Sequence, residues 1–176
     1  FIVAVVERLQ LADEKPTEAV EAVLREWRQF LTPSPGPPGH DKIASLIGEL
    51  LVAVDAVDVG GATAFSSWIG PSGARHDFRR GSCAIEVKTT RSHTGYRITV
   101  HGEDQLMPPD DAQLFVHLVR LELVPGSGHS VASLVNQLLS RGVSAEKLFS
   151  ALASSGMLAT DLPTTADLTF EVRERL

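Results

Sequence analysis

The sequence of 176 residues contains a single cysteine, Cys83. One cysteine excludes an internal disulfide framework and any cysteine-built zinc site, and it suits a reducing, cytoplasmic setting. No membrane span is expected: the longest apolar stretch, Ile43 to Val54, is interrupted by Glu49, whereas a spanning helix needs about 20 consecutive apolar residues. Phe1 to Gln10 carries Glu7 and Arg8 without a small-residue cleavage pattern, so no signal peptide is expected. Gly126-Ser127-Gly128 precedes a helical pattern but lacks Gly-Lys-Ser/Thr, so it reads as a turn and not as a nucleotide-binding loop. Positive charge is also short. The formal net charge is -6, which opposes the counterion displacement on which nonspecific phosphate binding depends.

That deficit is unevenly spread. Between Arg75 and His101, the six basic residues Arg75, Arg79, Arg80, Lys88, Arg91 and Arg97 face only Asp77 and Glu86, a local excess of four positive charges able to attract phosphate. The composition, 43% hydrophobic and 22% charged, is that of an ordinary globular domain. Residues 1–39 read as an amino-terminal helical segment ending in a linker, and 40–176 as the main domain. Ile2, Val5, Val6 and Leu9 recur at helical spacing, as do Val20, Val23, Leu24, Trp27 and Leu31. The prolines of Thr32 to Gly39 then forbid a helix.

From there the order is helix, strands, helices, strand, which predicts an α/β layered domain. A helix capped by Asp41 is expected to run to about Val57 and to end at Gly60-Gly61. Strands are expected over Ala62 to Ile69, Arg75 to Arg79, Ser82 to Thr90, Tyr96 to His101 and Gln113 to Val124. Helices should start near Val131 and Ala145, and a last strand should span Ala166 to Val172.

Within the strand Ser82 to Thr90, alternation sends Cys83, Ile85 and Val87 to the core and brings Glu86 and Lys88 out together on the other face. A carboxylate beside an ammonium suits metal-assisted hydrolysis: Glu86 binds a hard cation and Lys88 orients or polarises the attacking water. A second carboxylate, Asp77, lies nine residues earlier across the hairpin at Gly81, and Glu49, set in an apolar helix, is a third candidate ligand. His76 is expected to point away from Asp77 and pack structurally. His93, His101, His117 and His129 show no metal-ligand spacing. Arg75, Arg91 and Arg97 flank the strands as candidate phosphate contacts.

Asp77, then Ile85-Glu86-Val87-Lys88 after a hairpin, preceded by a helical glutamate in Ile47-Gly48-Glu49-Leu50-Leu51, resembles the PD-(D/E)XK nuclease superfamily. Ser45 to Val54, Trp68-Ile69-Gly70-Pro71, His76-Asp77-Phe78, Glu86 to Thr90 and His101 to Leu106 further resemble a family of bacterial PD-(D/E)XK proteins associated with restriction and phage defence. The likeness covers most of Asp41 to Gln137 and extends back through Trp27; members of that family are longer at the amino end, which implies a preceding region. It implies a restriction-endonuclease-like α/β core, a central mixed sheet flanked by helices. Asp77 and Glu86 are then metal ligands, Lys88 the catalytic lysine, Glu49 the helical acid and Gln105 a polar group near substrate. The implied activity is a Mg²⁺-dependent endonuclease, with Mn²⁺ as substitute and DNA, or alternatively RNA, as substrate. The implied partners are a second copy of the chain or other defence proteins. The competing expectation is a catalytically inactive nucleic-acid-binding or assembly module of the same fold. His76 stands where the superfamily has proline, a position without metal chemistry.

Overall fold

A computed structural model describes residues 38–100 and 103–176, with the isolated helical positions Pro16 and Val20. The chain divides into two compact units, Phe1–Gly36 and Pro37–Leu176, and the second is described here. Apart from those two positions, the two amino-terminal helices, and the proline-rich linker up to residue 37, lie outside the described residues.

Helix α1 (His40–Gly60) is the axis of the domain. Its apolar residues run almost all round it: Ile43, Leu46, Ile47, Leu50, Leu51, Val54 and Val57 are all buried, as befits a helix enclosed by the rest of the fold. It stops at Gly61, whose φ of 73° only glycine adopts readily and whose N–H bonds to the Val57 carbonyl. Asp41 does not cap this helix. The N-cap is Gly39, with no side-chain cap bond; Asp41 sits in the first turn, where a carboxylate suits the helix dipole, and accepts from Arg91 at 2.6 Å.

Among the described residues four strands form one mixed sheet in the order β1-β2-β3-β4: β1 (Phe78–Arg80), β2 (Cys83–Thr90), β3 (Gln113–Leu123) and β4 (Phe170–Arg175). β1 and β2 are an antiparallel hairpin, β2 and β3 are parallel, and β3 and β4 are antiparallel. α1 packs on β2, and α2 (Val131–Ser140) packs on α1. α2 begins at a capping box in which the Ser130 and Ser133 hydroxyls accept each other's backbone N–H. α3 (Ala145–Ser154) and the single turn α4 (Asp161–Thr164) follow. Ile43, Ile47, Leu50, Val119, Leu121, Leu134, Leu138, Leu148, Leu152, Met157 and Phe170 are the fully buried centre.

The expected strand from Ala62 to Ile69 is instead a 3-10 helix, Ala62–Ser67. Ser66 and Ser67 turn their hydroxyls back onto the Thr63 and Ala64 carbonyls at 2.8 and 2.7 Å, local bonds that compete with a strand ladder. The strand expected from Arg75 is confined to Phe78–Arg80, because the Asp77 carbonyl is taken by the N–H groups of Ile69 and Gly70. Residues 96–100 form no strand, and His101 lies outside the described residues. The last strand is displaced to Phe170–Arg175 because turn bonds from Ala166 to Pro163 and Leu168 to Thr165 occupy its expected start. Cys83 is half-buried at the entrance to β2, not in the core.

Gly48 sets the distance between α1 and β2: a Cβ there would stand 2.3 Å from Thr89 Cγ2 and 3.5 Å from Val87 Cγ1. Gly48→Ala is therefore expected to lower stability by about 1–2 kcal/mol, overpacking outweighing the gain in helix propensity. A thermal melt should show a midpoint lower by several degrees; an unchanged or higher midpoint would contradict this close approach.

Candidate active site

The same contacts orient β2. Val87 and Thr89 face α1 across Gly48, so alternation turns Glu86 and Lys88 to the opposite side. There Lys88 Nζ lies 2.8 Å from Glu86 Oε1, with the two side chains only 11% and 3% exposed. Lys88 Nζ also donates to Gln105 Oε1 at 2.8 Å. The second Glu86 oxygen, Oε2, is buried without a hydrogen-bond partner among the described residues. A buried carboxylate oxygen lacking a donor costs about 1–3 kcal/mol or more, so this atom would suit an electropositive partner that the described residues do not supply.

The hairpin brings Asp77 to the same place. Phe78 pairs with Ile85, and one step further along the antiparallel register Asp77 stands opposite Glu86. The backbone ladder does not continue there. Instead Asp77 Oδ2 accepts the Val87 N–H at 2.8 Å, so the side chain takes the place of a ladder carbonyl at the strand end. Burial chiefly, and repulsion from Glu86, raise its pKa to about 6 against the lowering effects of the Val87 N–H and Lys88.

Glu49 is held on α1 by Trp68, whose indole Nε1 donates to Oε2 at 2.8 Å. Its pKa rises to about 7, through burial first and the Asp77 charge second; the Trp68 bond and Lys88 act the other way, and Glu86 adds to the rise. Glu49, Asp77, Glu86 and Lys88 thus share one electrostatic neighbourhood. Of the candidate nucleic-acid contacts, Gln105 joins it through Lys88, while Arg91 follows β2 and pairs with Asp41. Arg75 and Arg97 are exposed on the flanking segments. His76 is buried at 6% exposure, with Nε2 lacking a hydrogen-bond partner among the described residues. Trp68 is the participant that residue patterns did not single out; its only signal was a tryptophan in Trp68-Ile69-Gly70-Pro71, shortly before Asp77.

Among the described residues no group of three or more His, Cys, Asp or Glu side chains is set to hold a metal ion. Glu49 is turned to Trp68 and Lys88 leans on Glu86. The smaller pair, Asp77 with Glu86, matches Mg²⁺ chemistry, because that ion keeps several waters and uses one or two carboxylates plus substrate phosphates.

The model of the family described as "Putative PD-(D/E)XK family member, (DUF4420)" matches residues 2–175. The chain belongs to this family. No curated protein and no solved structure matches it. The four-stranded mixed sheet with its flanking helices is the α/β, restriction-endonuclease-like core of a PD-(D/E)XK protein. Among the described residues no helix is long and apolar enough to cross a membrane.

Proposed function

We propose that this domain is a Mg²⁺-dependent endonuclease hydrolysing phosphodiester bonds in DNA, with Mn²⁺ as a substitute ion. The observation that carries the reading is the buried Glu86–Lys88 pair facing Asp77, with Glu86 Oε2 lacking a donor among the described residues. A divalent cation held by Asp77 and Glu86 would neutralise charge on the scissile phosphate and make water a better nucleophile near neutral pH. Lys88 has three N–H donors; Glu86 Oε1 and Gln105 Oε1 take two, leaving the third to aim the attacking water. Glu49 assists from the helix, either as a further ligand or by orienting water. Arg75, Arg91 and Arg97 guide the nucleic-acid backbone. Since one site cuts one strand, double-strand cleavage would call for a second copy or a partner protein, in keeping with a cytoplasmic role in restriction or phage defence.

The test is incubation of the folded protein with supercoiled plasmid in Mg²⁺, in Mn²⁺ and in EDTA, alongside single-stranded DNA and RNA. Nicked or linear plasmid in either ion and none in EDTA is expected. A folded protein that cuts none of these substrates overturns the proposal. The net charge of -6 favours one rival, a noncatalytic module of the same fold; it predicts nucleic-acid or protein binding without metal affinity.

A further inference from the structure

We infer that Trp68 is a positioning residue for this site, and that the Trp68–Gly70 turn holds the helical acid Glu49 and the strand acid Asp77 at a fixed separation from a single piece of backbone. The inference rests on the proposed reading of Asp77 and Glu86 as a cation-binding pair that Glu49 assists.

Each end of the bracket is fixed. On the helix side, Trp68 Nε1 donates to Glu49 Oε2 at 2.8 Å. The indole is 5% exposed and cannot swing away, because it stacks on Phe78 at 6.4 Å with an 18° interplanar angle and meets Phe65 edge-on at 5.7 Å. On the strand side, the N–H groups of the next two residues, Ile69 and Gly70, both donate to the Asp77 carbonyl, at 2.8 and 2.9 Å. Gly70 is packed so closely that a Cβ would lie 2.9 Å from Asp77 Oδ1 and 3.1 Å from its Cα. An isolated bridge between Trp68 and Phe78 closes the loop beside Asp77. Three consecutive residues therefore bind one acid through a side chain and the other through the main chain. A buried tryptophan whose N–H had merely found a partner would need neither the double donation to Asp77 nor the contact at Gly70.

The consequence is preorganisation. Without the indole N–H, the buried Glu49 carboxylate has lost a charge-assisted bond and is free to rotate relative to Asp77. Partners of this kind behind a metal site typically change metal affinity or activity about 10–100-fold when removed.

The experiment is calorimetric titration of Mn²⁺ at pH 8, without substrate, into wild type, Trp68→Phe, Glu49→Gln, the double variant and Phe65→Leu. Trp68→Phe keeps an aromatic ring in the pocket but loses the N–H together with part of the indole; Phe65→Leu disturbs the same packing and retains the N–H. Trp68→Phe and Glu49→Gln are each expected to weaken Mn²⁺ binding about tenfold, the double variant no further than either, and Phe65→Leu to lower the melting temperature with unchanged affinity. The chain has two tryptophans, so its NMR spectrum carries two indole N–H signals; the one absent from Trp68→Phe should move in Glu49→Gln and in wild type on adding Mg²⁺. Wild-type affinity in Trp68→Phe, fully additive losses, or equal weakening in Phe65→Leu overturns the inference. Should Trp68→Phe not fold, Glu49→Gln decides, since an unmoved indole signal or an unchanged affinity in that variant overturns it as well. Wild-type protein that takes up no Mn²⁺ overturns the reading of the site itself, an outcome visible in the first titration alone.

Discussion

Lys88→Ala is expected to lower the rate of DNA cleavage in Mg²⁺ about 10²–10⁴-fold, the range lost when a group that positions a nucleophile or stabilises developing charge is removed. Lys88 reaches Glu86, Gln105 and the space beside them from one ammonium, and no other described lysine or arginine forms an ion pair with Glu86. The same substitution should not weaken metal binding. Lys88 Nζ competes with a cation for Glu86 Oε1, so its removal is expected to leave Mg²⁺ affinity equal or higher, whereas Asp77→Ala should lose binding and cleavage together. Removing one member of a buried pair leaves the other uncompensated, at a cost of about 3–5 kcal/mol. Lys88→Ala should therefore melt lower than wild type in EDTA and recover much of the difference in Mg²⁺, because the ion replaces the missing charge. Cleavage kinetics with melts in both conditions check this; wild-type rates in Lys88→Ala, or a loss of cleavage that merely follows unfolding, would contradict the role assigned to the lysine.

The second large effect is a dependence of stability on pH that reverses when the ion is added. Asp77 moves from 3.8 to about 6 and Glu49 from 4.5 to about 7 in the folded protein. Between those values the native state binds more protons than the unfolded chain, so stability falls as pH rises. The favourable contribution is complete below about pH 4 and is lost through pH 6 for Asp77 and pH 7 for Glu49. Each displacement corresponds to about 3 kcal/mol at full value. The two groups repel each other and share their burial, so a combined loss of about 2–4 kcal/mol is expected. For a chain of this length that is roughly 5–15 °C in melting temperature. In EDTA the protein should thus melt higher at pH 5 than at pH 8. Mg²⁺ should raise the midpoint strongly at pH 8 and little at pH 5, where protons compete for the carboxylates. Asp77→Asn with Glu49→Gln should flatten the profile. A midpoint in EDTA that is level or rises from pH 5 to pH 8 would contradict these environments.

The placement of the charged residues was more legible in the sequence than the connections between elements. Apolar periodicity marked α1, α2 and α3, and the apolar run from Gln113 announced β3, although that strand is not buried throughout, since Phe115 and Val116 are exposed. Alternation alone put Glu86 and Lys88 on one face, and the spacing to Asp77 across Gly81 anticipated a carboxylate opposite Glu86. What misled was local. Ala62 to Ile69 has strand-like composition, yet two serine hydroxyls bend it into a 3-10 helix. Before β1, the Asp77 side chain accepts the Val87 N–H in place of a ladder carbonyl, and residue patterns do not register such a substitution. Trp68 escaped notice because its partner, Glu49, lies 19 residues away on another element; in the sequence it is simply a large apolar residue. Asp41 looked like a helix cap, but a long-range ion pair with Arg91 claims its carboxylate.

The central claim is that Asp77 and Glu86 form a divalent-cation site beside Lys88. Its most direct test is calorimetric titration of Mg²⁺ into wild type, Asp77→Ala and Lys88→Ala at pH 8, with circular dichroism verifying the fold of each. The account predicts saturable binding by wild type and Lys88→Ala and none by Asp77→Ala. Equal Mg²⁺ uptake by all three proteins, or none by the wild type, would contradict it.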